Sequence, residues 1–349
     1  MSDQKVHPGR GLPRYTVASG LLILALIIIV SSGAGFVAAL AARSPAPLAN
    51  HPVGTTILTY RGHTSSVNAV AWSPDGRYIV SASGDRTVRV WSAVTGATQL
   101  TYGGHSDEVT AVAWSPDGTR IASGSRDGTV QVWDSGTGRS LLTYGRHTSD
   151  VTAVAWSPDG TRVASGSADH TVRVWDMLSG STLLTYTGNT SSVLTVAWSP
   201  DGTRIASGGY DRTIQVWDSL TGRTLLVYHG HSRHIASLSW SPDSTRIASG
   251  SYDGTVRVWN ANSGSILLIY HSNTSAVSAV AWSPDGKHIA SGSEGAGAAV
   301  DVWDAATGTA SFHYLRHTNG VLAVSWSPLG SLVASGGEDA TVQVWQAAS

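Results

Sequence analysis

The chain has no cysteine among its 349 residues, and only two phenylalanines and two methionines. Without a thiol there is no disulfide, no thiolate nucleophile and no Cys-based zinc or iron–sulfur site. The compartment stays open, since a Cys-free fold tolerates oxidising and reducing surroundings alike. Charged residues make up 13% of the chain and the formal net charge is −1, so total charge gives no pull toward nucleic acid. What is abundant is glycine, with 39 residues, and tryptophan, with 14. That balance is poor for a helical core and suits a turn-rich β protein. A chain this long implies either two domains or one large repeat array.

The first fifty residues differ from the rest. Residues 1–14 are polar and carry Lys5, Arg10 and Arg14 against one acid, Asp3. Residues 15–42 form a run of 28 without a charge, centred on LLILALIIIV at 21–30. As a helix it would be about 42 Å long at ~1.5 Å per residue, enough to cross a ~30 Å hydrocarbon core with tilt. Arg43 closes the run, and Tyr15 sits where an interfacial aromatic would. Three basic residues before the run and one after it place the N-terminus in the cytoplasm and the remainder outside. A buried soluble helix rarely stays uncharged for so long. The competing reading is a signal peptide: 21–30 has the length of its apolar region, and Ala39-Leu40-Ala41 resembles a cleavage site. Both readings carry the C-terminal part across a membrane. Residues 43–54, with three prolines, read as a semi-rigid linker.

From residue 55 onward the sequence is self-similar. The string WSP recurs with its tryptophan at Trp72, Trp114, Trp156, Trp198, Trp240, Trp282 and Trp326, spaced by 42 residues five times and then by 44. A second tryptophan follows each, at Trp91, Trp133, Trp175, Trp217, Trp259, Trp303 and Trp345. The offset is 19 residues in six units and 21 in the sixth, where 294–299 is a loop insertion. One unit predicts four short strands. In the second, VTAVAW at 109–114 ends in the turn Ser115-Pro116-Asp117-Gly118, where proline pre-sets φ and glycine accepts φ > 0. Further strands are predicted over 120–125, 129–133 and 140–144. Four strands of about five residues at this spacing make an up-and-down blade. A lone blade cannot bury both faces, but a closed ring of blades can. The fourth-strand pattern first appears as TILTY at 56–60, ahead of any first strand, and the chain stops four residues after the last third strand. The strand 56–60 is therefore expected to complete the seventh blade and remove the open edge.

These residues resemble the WD-repeat (WD40) family over essentially all of 55–349. The carriers are the Gly-His pairs, the WSPDG turns, the ASGS-x-D stretches and endings such as Val132-Trp133-Asp134. Together with the apolar run, the chain is similar to a membrane-anchored WD-repeat protein of bacterial type. The resemblance implies an all-β fold, a closed seven-bladed WD40 β-propeller, and the uncharged run at 15–42 places one N-terminal transmembrane helix ahead of it. It also implies a scaffold that binds proteins or peptides, mostly on the face bearing the fourth-to-first-strand loops. The family's buried His–Ser–Asp–Trp network maps onto five blades. The sets are His63, Ser81, Asp85 and Trp91; His105, Ser123, Asp127 and Trp133; His147, Ser165, Asp169 and Trp175; His231, Ser249, Asp253 and Trp259; and His317, Ser335, Asp339 and Trp345. Blade four has Asn189 in the histidine slot. Blade six has Asn273 there and loses its aspartate within the insertion. Those two blades are expected to be the least rigid.

The network removes catalytic candidates, because a Ser–His–Asp set repeated in five blades is structural rather than a hydrolase triad. Of 23 acids, seven lie outside the repeated turns, networks and Trp-Asp endings: Asp3, Asp107, Glu108, Asp150, Glu294, Asp301 and Glu338. Glu108 and Asp150 come from neighbouring blades and could face one another, and a carboxylate pair can do glycoside chemistry. Surface solvation is the commoner explanation. His229, His231 and His234 imitate a metal cluster, but His231 belongs to the network. No phosphate loop or kinase signature occurs. The propeller has 18 basic and 22 acidic residues, with arginines such as Arg89, Arg173 and Arg257 at repeated positions read as surface, which disfavours nucleic acid.

What remains is a partner surface at the family's recurrent contact positions: Ser66, Asn68, Glu108, Thr110, Arg126, Asp150, Thr152, Leu194, Tyr210, His234, Tyr252, Glu294, Leu322 and Glu338. Tyr210 and Tyr252 stand out, because seven of the eleven tyrosines close fourth strands and these two sit at the contact turn of adjacent blades. The bland reading is that tyrosine suits the flank of a β turn. The functional reading is an aromatic anchor over blades four and five, with Glu108, Arg126 and Asp150 orienting a protein or peptide. The sequence calls for no cofactor, no metal and no catalytic residue, and for a monomeric propeller. The alternatives are a secreted binder after signal cleavage, and an enzyme using the central channel.

Overall fold

In the computed structural model, which describes residues 51–271, 275–295 and 298–347, the repeat becomes seven four-stranded antiparallel sheets. The described residues contain 28 strands and no helix. The expected helix at 15–42 and Asn273 lie outside the described residues. Among the described residues, no helix is long and apolar enough to cross a membrane.

Each blade follows the pattern of the second: Val109–Trp114, Arg120–Ser125, Val130–Asp134 and Ser140–Tyr144. The third strand begins one residue later than the alternation predicts. The Thr129 N–H is spent on Asp127 Oδ1 at 2.9 Å, inside the turn, while Asp134 pairs with Arg120 and extends the ladder. Gly118 has φ +71°, as its turn requires. Gly124 answers a different need. A Cβ there would lie 2.7 Å from Val151 Cγ1 of the next blade, so the glycine lets the two sheets approach.

Blade seven is assembled from both ends of the propeller. Thr56–Tyr60 pairs antiparallel with Val342–Gln346, outside Leu332–Gly337 and Val321–Trp326. The first strands are innermost and touch one another all the way round. The core is not inside any blade but between blades. Tyr144, Val130 and Val132 of blade two, for instance, pack on Val151, Trp156, Val163 and Trp175 of blade three. Such a core exists only because neighbours stack, as expected of repeats that cannot bury their own faces.

The two tryptophan series do different work at these interfaces. Four WSP tryptophans, Trp72, Trp156, Trp240 and Trp326, donate Nε1–H to a first-strand carbonyl of the preceding blade at 3.1–3.2 Å. The second series receives a tyrosine. All seven fourth-strand tyrosines stack on the second tryptophan of the following blade, with centroids 4.4–4.8 Å apart and planes within 9°. This Tyr–Trp interlock was not readable from the repeat, because its partners lie in consecutive units.

Arg89, Arg173 and Arg257 require a correction. They are half-buried, not surface residues, at the third-strand position that faces the preceding blade. In blades two, four and seven the same position holds Gln131, Gln215 and Gln343, whose Oε1 accepts from Tyr102, Tyr186 and Tyr314 at 2.6–3.3 Å. In blade six it holds Asp301, which is buried and accepts from the Tyr270 hydroxyl at 3.1 Å and from His313 Nδ1 at 2.7 Å. Its carboxylate belongs to the blade interface.

Candidate functional site

The buried networks decide which polar groups are free. In blade one, Asp85 Oδ2 lies 2.8 Å from His63 Nδ1, and His63 Nε2 lies 2.8 Å from Ser81 Oγ. Ser81 Oγ in turn accepts from Trp91 Nε1–H at 3.2 Å. An ionised carboxylate only accepts, so Nδ1 carries the hydrogen and Nε2 accepts from the serine. The same chain of bonds recurs in blades two, three, five and seven, with the His–Asp distance at 2.8–2.9 Å throughout. Its order matches a hydrolase triad, but the five serines are completely buried and already accept from tryptophan. No substrate carbonyl can reach them.

Blade four keeps half of this arrangement. Ser207 Oγ donates to Asn189 Oδ1 at 2.9 Å and accepts from Trp217 at 3.3 Å. The shorter asparagine leaves its buried Nδ2 without a partner, while Asp211 keeps the cap on the Thr190 N–H at 3.0 Å that the other aspartates also make. In blade six, Trp303 Nε1 still donates to Ser291 at 3.2 Å.

Burial lowers the pKa of His63 and His147 below the ordinary 6.5, against the pull of Asp85 and Asp169. Burial would raise the aspartates, but hydrogen bonds from Thr87 and His63, and from Thr171 and His147, hold Asp85 and Asp169 at about 2. Both shifts have the same sign for stability. Wherever a folded-state pKa is depressed, the unfolded chain binds more protons, so stability rises with pH. The melting temperature is therefore expected to fall below pH 6.5 as the two histidines charge, and to fall again between 3.8 and about 2 as the aspartates protonate. Calorimetry from pH 8 to 2 checks this; a flat or rising profile on acidification contradicts it.

The contact positions divide once the structure is read. Asn68, Thr110 and Thr152 donate to Val109, Val151 and Val193 carbonyls at 2.5–2.9 Å, stapling each innermost strand to the next. Ser66 donates to Asn68 Oδ1 at 3.2 Å. Leu194 and Leu322 occupy the same first-strand position and are half-buried. Glu108 and Asp150 do approach one place, but Arg126 stands between them, 3.1 Å from Glu108 and 4.0 Å from Asp150. That is a solvated ion-pair cluster, in which the arginine balances the charge that a glycosidase pair would use. His229 is exposed while His231 is buried in its network, and no group of three or more potential ligands converges among the described residues.

Tyr210, His234 and Tyr252 do come together. The His234 ring lies between the tyrosines, 4.7 Å from Tyr210 and 3.9 Å from Tyr252. Tyr210 is 54% exposed. Burial, with Arg233 beside it, lowers the His234 pKa, so the central ring is neutral near pH 7. The Tyr252 hydroxyl donates to Glu294 Oε1. Burial and then that carboxylate push Tyr252 far above the usual tyrosine range, so it remains a donor. Glu338 is exposed on blade seven. The sequence offered the two tyrosines as a pair; that a histidine from a different loop joins them could be found only from repeat register.

Comparison with known proteins agrees with the repeat fold. The family model for the WD domain, G-beta repeat, matches residues 54–92, 96–134 and 309–346. A second, the IFT122 first beta-propeller, matches 153–296. A ribosome biogenesis protein BOP1 homolog from Drosophila grimshawi is 46% identical over 52 residues, covering 15% of this chain and 7% of that protein. Transcription initiation factor TFIID subunit 5 from Caenorhabditis elegans is 51% identical over 41 residues, 12% and 6% of the two chains. Lissencephaly-1 homolog 1 from Paramecium tetraurelia is 44% identical over 43 residues, 12% and 11%. The chain thus spans only a small part of these relatives. All three come from eukaryotes, so the expected bacterial type gains no support from them. WD40 propellers are generally non-catalytic and bind protein partners. The chain carries WD40 repeats, closed into a seven-bladed β-propeller.

Proposed function

We propose that this propeller is a non-catalytic interaction scaffold that takes a protein or peptide partner on its top face, chiefly over blades four and five. The observation that carries the reading is the Tyr210–His234–Tyr252 stack, an aromatic surface outside the buried networks. Large rings on a solvated face are the typical anchors of protein interfaces. Glu108, Arg126 and Asp150 supply a charged neighbourhood that orients the partner. The relatives' names, a ribosome biogenesis protein and a transcription factor subunit, fit work within assemblies. The test is binding of a partner recovered from membranes with the intact propeller. Tyr210→Ala or Tyr252→Ala is expected to cost about 1–2 kcal/mol of affinity. Glu108→Ala or Asp150→Ala changes mainly the association rate and its salt dependence. Normal binding by both tyrosine variants moves the partner to the bottom face or the blade sides.

The same proposal places the propeller outside the cell membrane, tethered through the uncharged run at 15–42, and acting as a monomer. Its support is the charge bias around that run. Protease added to intact cells is expected to digest or release the propeller while cytosolic controls stay whole. The second reading, a secreted binder, rests on Ala39-Leu40-Ala41. N-terminal sequencing that finds a mature chain beginning near Ala42 selects it over the tether.

A further inference from the structure

One residue before each aspartate of the repeat, and at the equivalent Glu294 of blade six, the chain donates a backbone N–H to the loop that leads into the first strand, so these positions form a ring at the top of the innermost hairpins. Gly84 and Ala168 contribute no long side chain, and Arg126 is engaged by Glu108 and Asp150. The rest of the ring is one continuous arc: Tyr210, Tyr252, Glu294 and Glu338, on blades four to seven. Contacts run unbroken from Tyr210 to Glu294. His234 joins the two tyrosines, and Tyr252 bonds Glu294. Glu294 and Glu338 flank Gly320, where an added Cβ would lie 3.5 Å from Glu294 Cα and 3.0 Å from Glu338 Oε2. Among the described residues neither glutamate has a cation within ion-pair distance, unlike Glu108 and Asp150, which share Arg126.

We propose that this arc receives an arginine side chain from a basic segment of the partner protein, stacked on the exposed Tyr210 ring of the Tyr210–His234–Tyr252 set and bonded to the Glu294 and Glu338 carboxylates. This rests on the reading of the top face as the partner surface and adds the chemistry of what docks there. Neither glutamate has a cation to pair with among the described residues, so a guanidinium supplies the opposite charge that each lacks. Aromatic faces attract cations through their quadrupole. A guanidinium is planar, so it can stack on a ring while its N–H edge serves two acceptors. An acidic peptide or a nucleic acid backbone would meet the glutamates with like charge.

The test uses the full chain in detergent and a fluorescein-labelled peptide, Gly-Ser-Arg-Ala-Arg-Gly-Ser, beside a twin with glutamine at both arginine positions. At low salt the arginine peptide is expected to bind at least about tenfold more tightly than its twin, with the advantage shrinking as salt screens it. Glu294→Gln and Glu338→Gln each weaken it by about threefold or more, Tyr210→Ala does the same, and the double glutamine variant binds both peptides alike. The glutamine changes keep side-chain shape, and an unchanged melting temperature shows that the fold is intact. Equal binding of the twins, no binding of the arginine peptide, or full binding by the double variant overturns the proposal. A recovered partner that is weakened by Tyr210→Ala but not by the double glutamine variant removes only the cationic assignment. A partner indifferent to both removes the top-face reading as well.

Discussion

Deleting residues 1–60 is expected to abolish cooperative unfolding of the propeller, while deleting 1–50 leaves its melting transition in place. The difference is one strand. Thr56–Tyr60 is hydrogen-bonded along Val342–Gln346, with Thr56 opposite Trp345 and Tyr60 opposite Val342. Just before it, Gly54 N–H donates to the Gln346 carbonyl at 2.7 Å, and Gln346 N–H donates to the Thr55 carbonyl at 3.0 Å. The strand also ties blade seven to both neighbours. Thr56 Oγ1 lies 2.7 Å from the Tyr314 hydroxyl of blade six, and Tyr60 stacks on Trp91 of blade one at 4.5 Å. Removing it breaks several hydrogen bonds worth about 0.5–1.5 kcal/mol each, strips one of the seven Tyr–Trp interlocks, and bares an edge strand. The total is comparable with the ~5–15 kcal/mol that separates a folded domain from its unfolded chain. Differential scanning calorimetry of the two truncations, with light scattering to detect aggregation, reads the outcome. Equal transitions would mean that the ring is held shut by something other than this seam.

Most of the fold was legible because the repeat states it seven times. A single VTAVAW run is ambiguous, but Trp72 to Trp326 at a fixed spacing leaves few architectures, and TILTY ahead of the first unit points to a strand borrowed from the other end. What the repeat could not convey is anything that joins one unit to the next. Tyr144 and Trp175 are 31 positions apart in the chain, in different blades, and no periodicity within a unit marks them as a stacked pair. Arg89, Arg173 and Arg257 looked like solvent-facing residues of alternating strands because alternation identifies two faces without saying which neighbour covers each. Asp301 was set apart as a leftover acid for the same reason, although it is the sixth blade's version of the position that meets the preceding tyrosine.

The candidate site shows the same boundary. Tyr210 and Tyr252 are visible as departures from the repeat, because the equivalent positions elsewhere are Gly84, Arg126, Ala168, Glu294 and Glu338. Subtracting the repeat is therefore a sound way to find candidates. It fails to separate a side chain that is available from one already committed. Thr110 and Thr152 stood among the contact positions, yet their hydroxyls are spent on the next blade's backbone. Glu108 and Asp150 read as two acids, and the arginine between them changes their chemistry. These distinctions depend on three-dimensional neighbours a whole unit away.

Trp175→Ala is expected to be among the most damaging single substitutions in the propeller, at about 3–5 kcal/mol. Trp175 is completely buried, donates to Ser165 Oγ at 3.3 Å, and stacks on Tyr144 with centroids 4.7 Å apart and planes 6° apart. Truncation leaves a cavity between blades two and three, strips Tyr144 of its stacking partner and removes a donor from the buried serine. Trp175→Phe separates these contributions. It keeps much of the stack and loses the Nε1–H, so about 1–2 kcal/mol is expected. A double-mutant cycle with Tyr144→Leu should give a coupling of roughly 0.5–1.5 kcal/mol, the worth of an aromatic pair beyond its buried area. Tyr210→Ala is the contrast. Tyr210 is also aromatic and contacts His234, but it lies on the surface outside the networks, so its stability cost should stay within about 0.5 kcal/mol. Urea denaturation of the four single variants and the double mutant measures all of this on one scale. If Trp175→Ala costs no more than Tyr210→Ala, the Tyr–Trp interlock does not hold the blades together, and the small aliphatic packing around Val151 and Val163 must carry that interface instead.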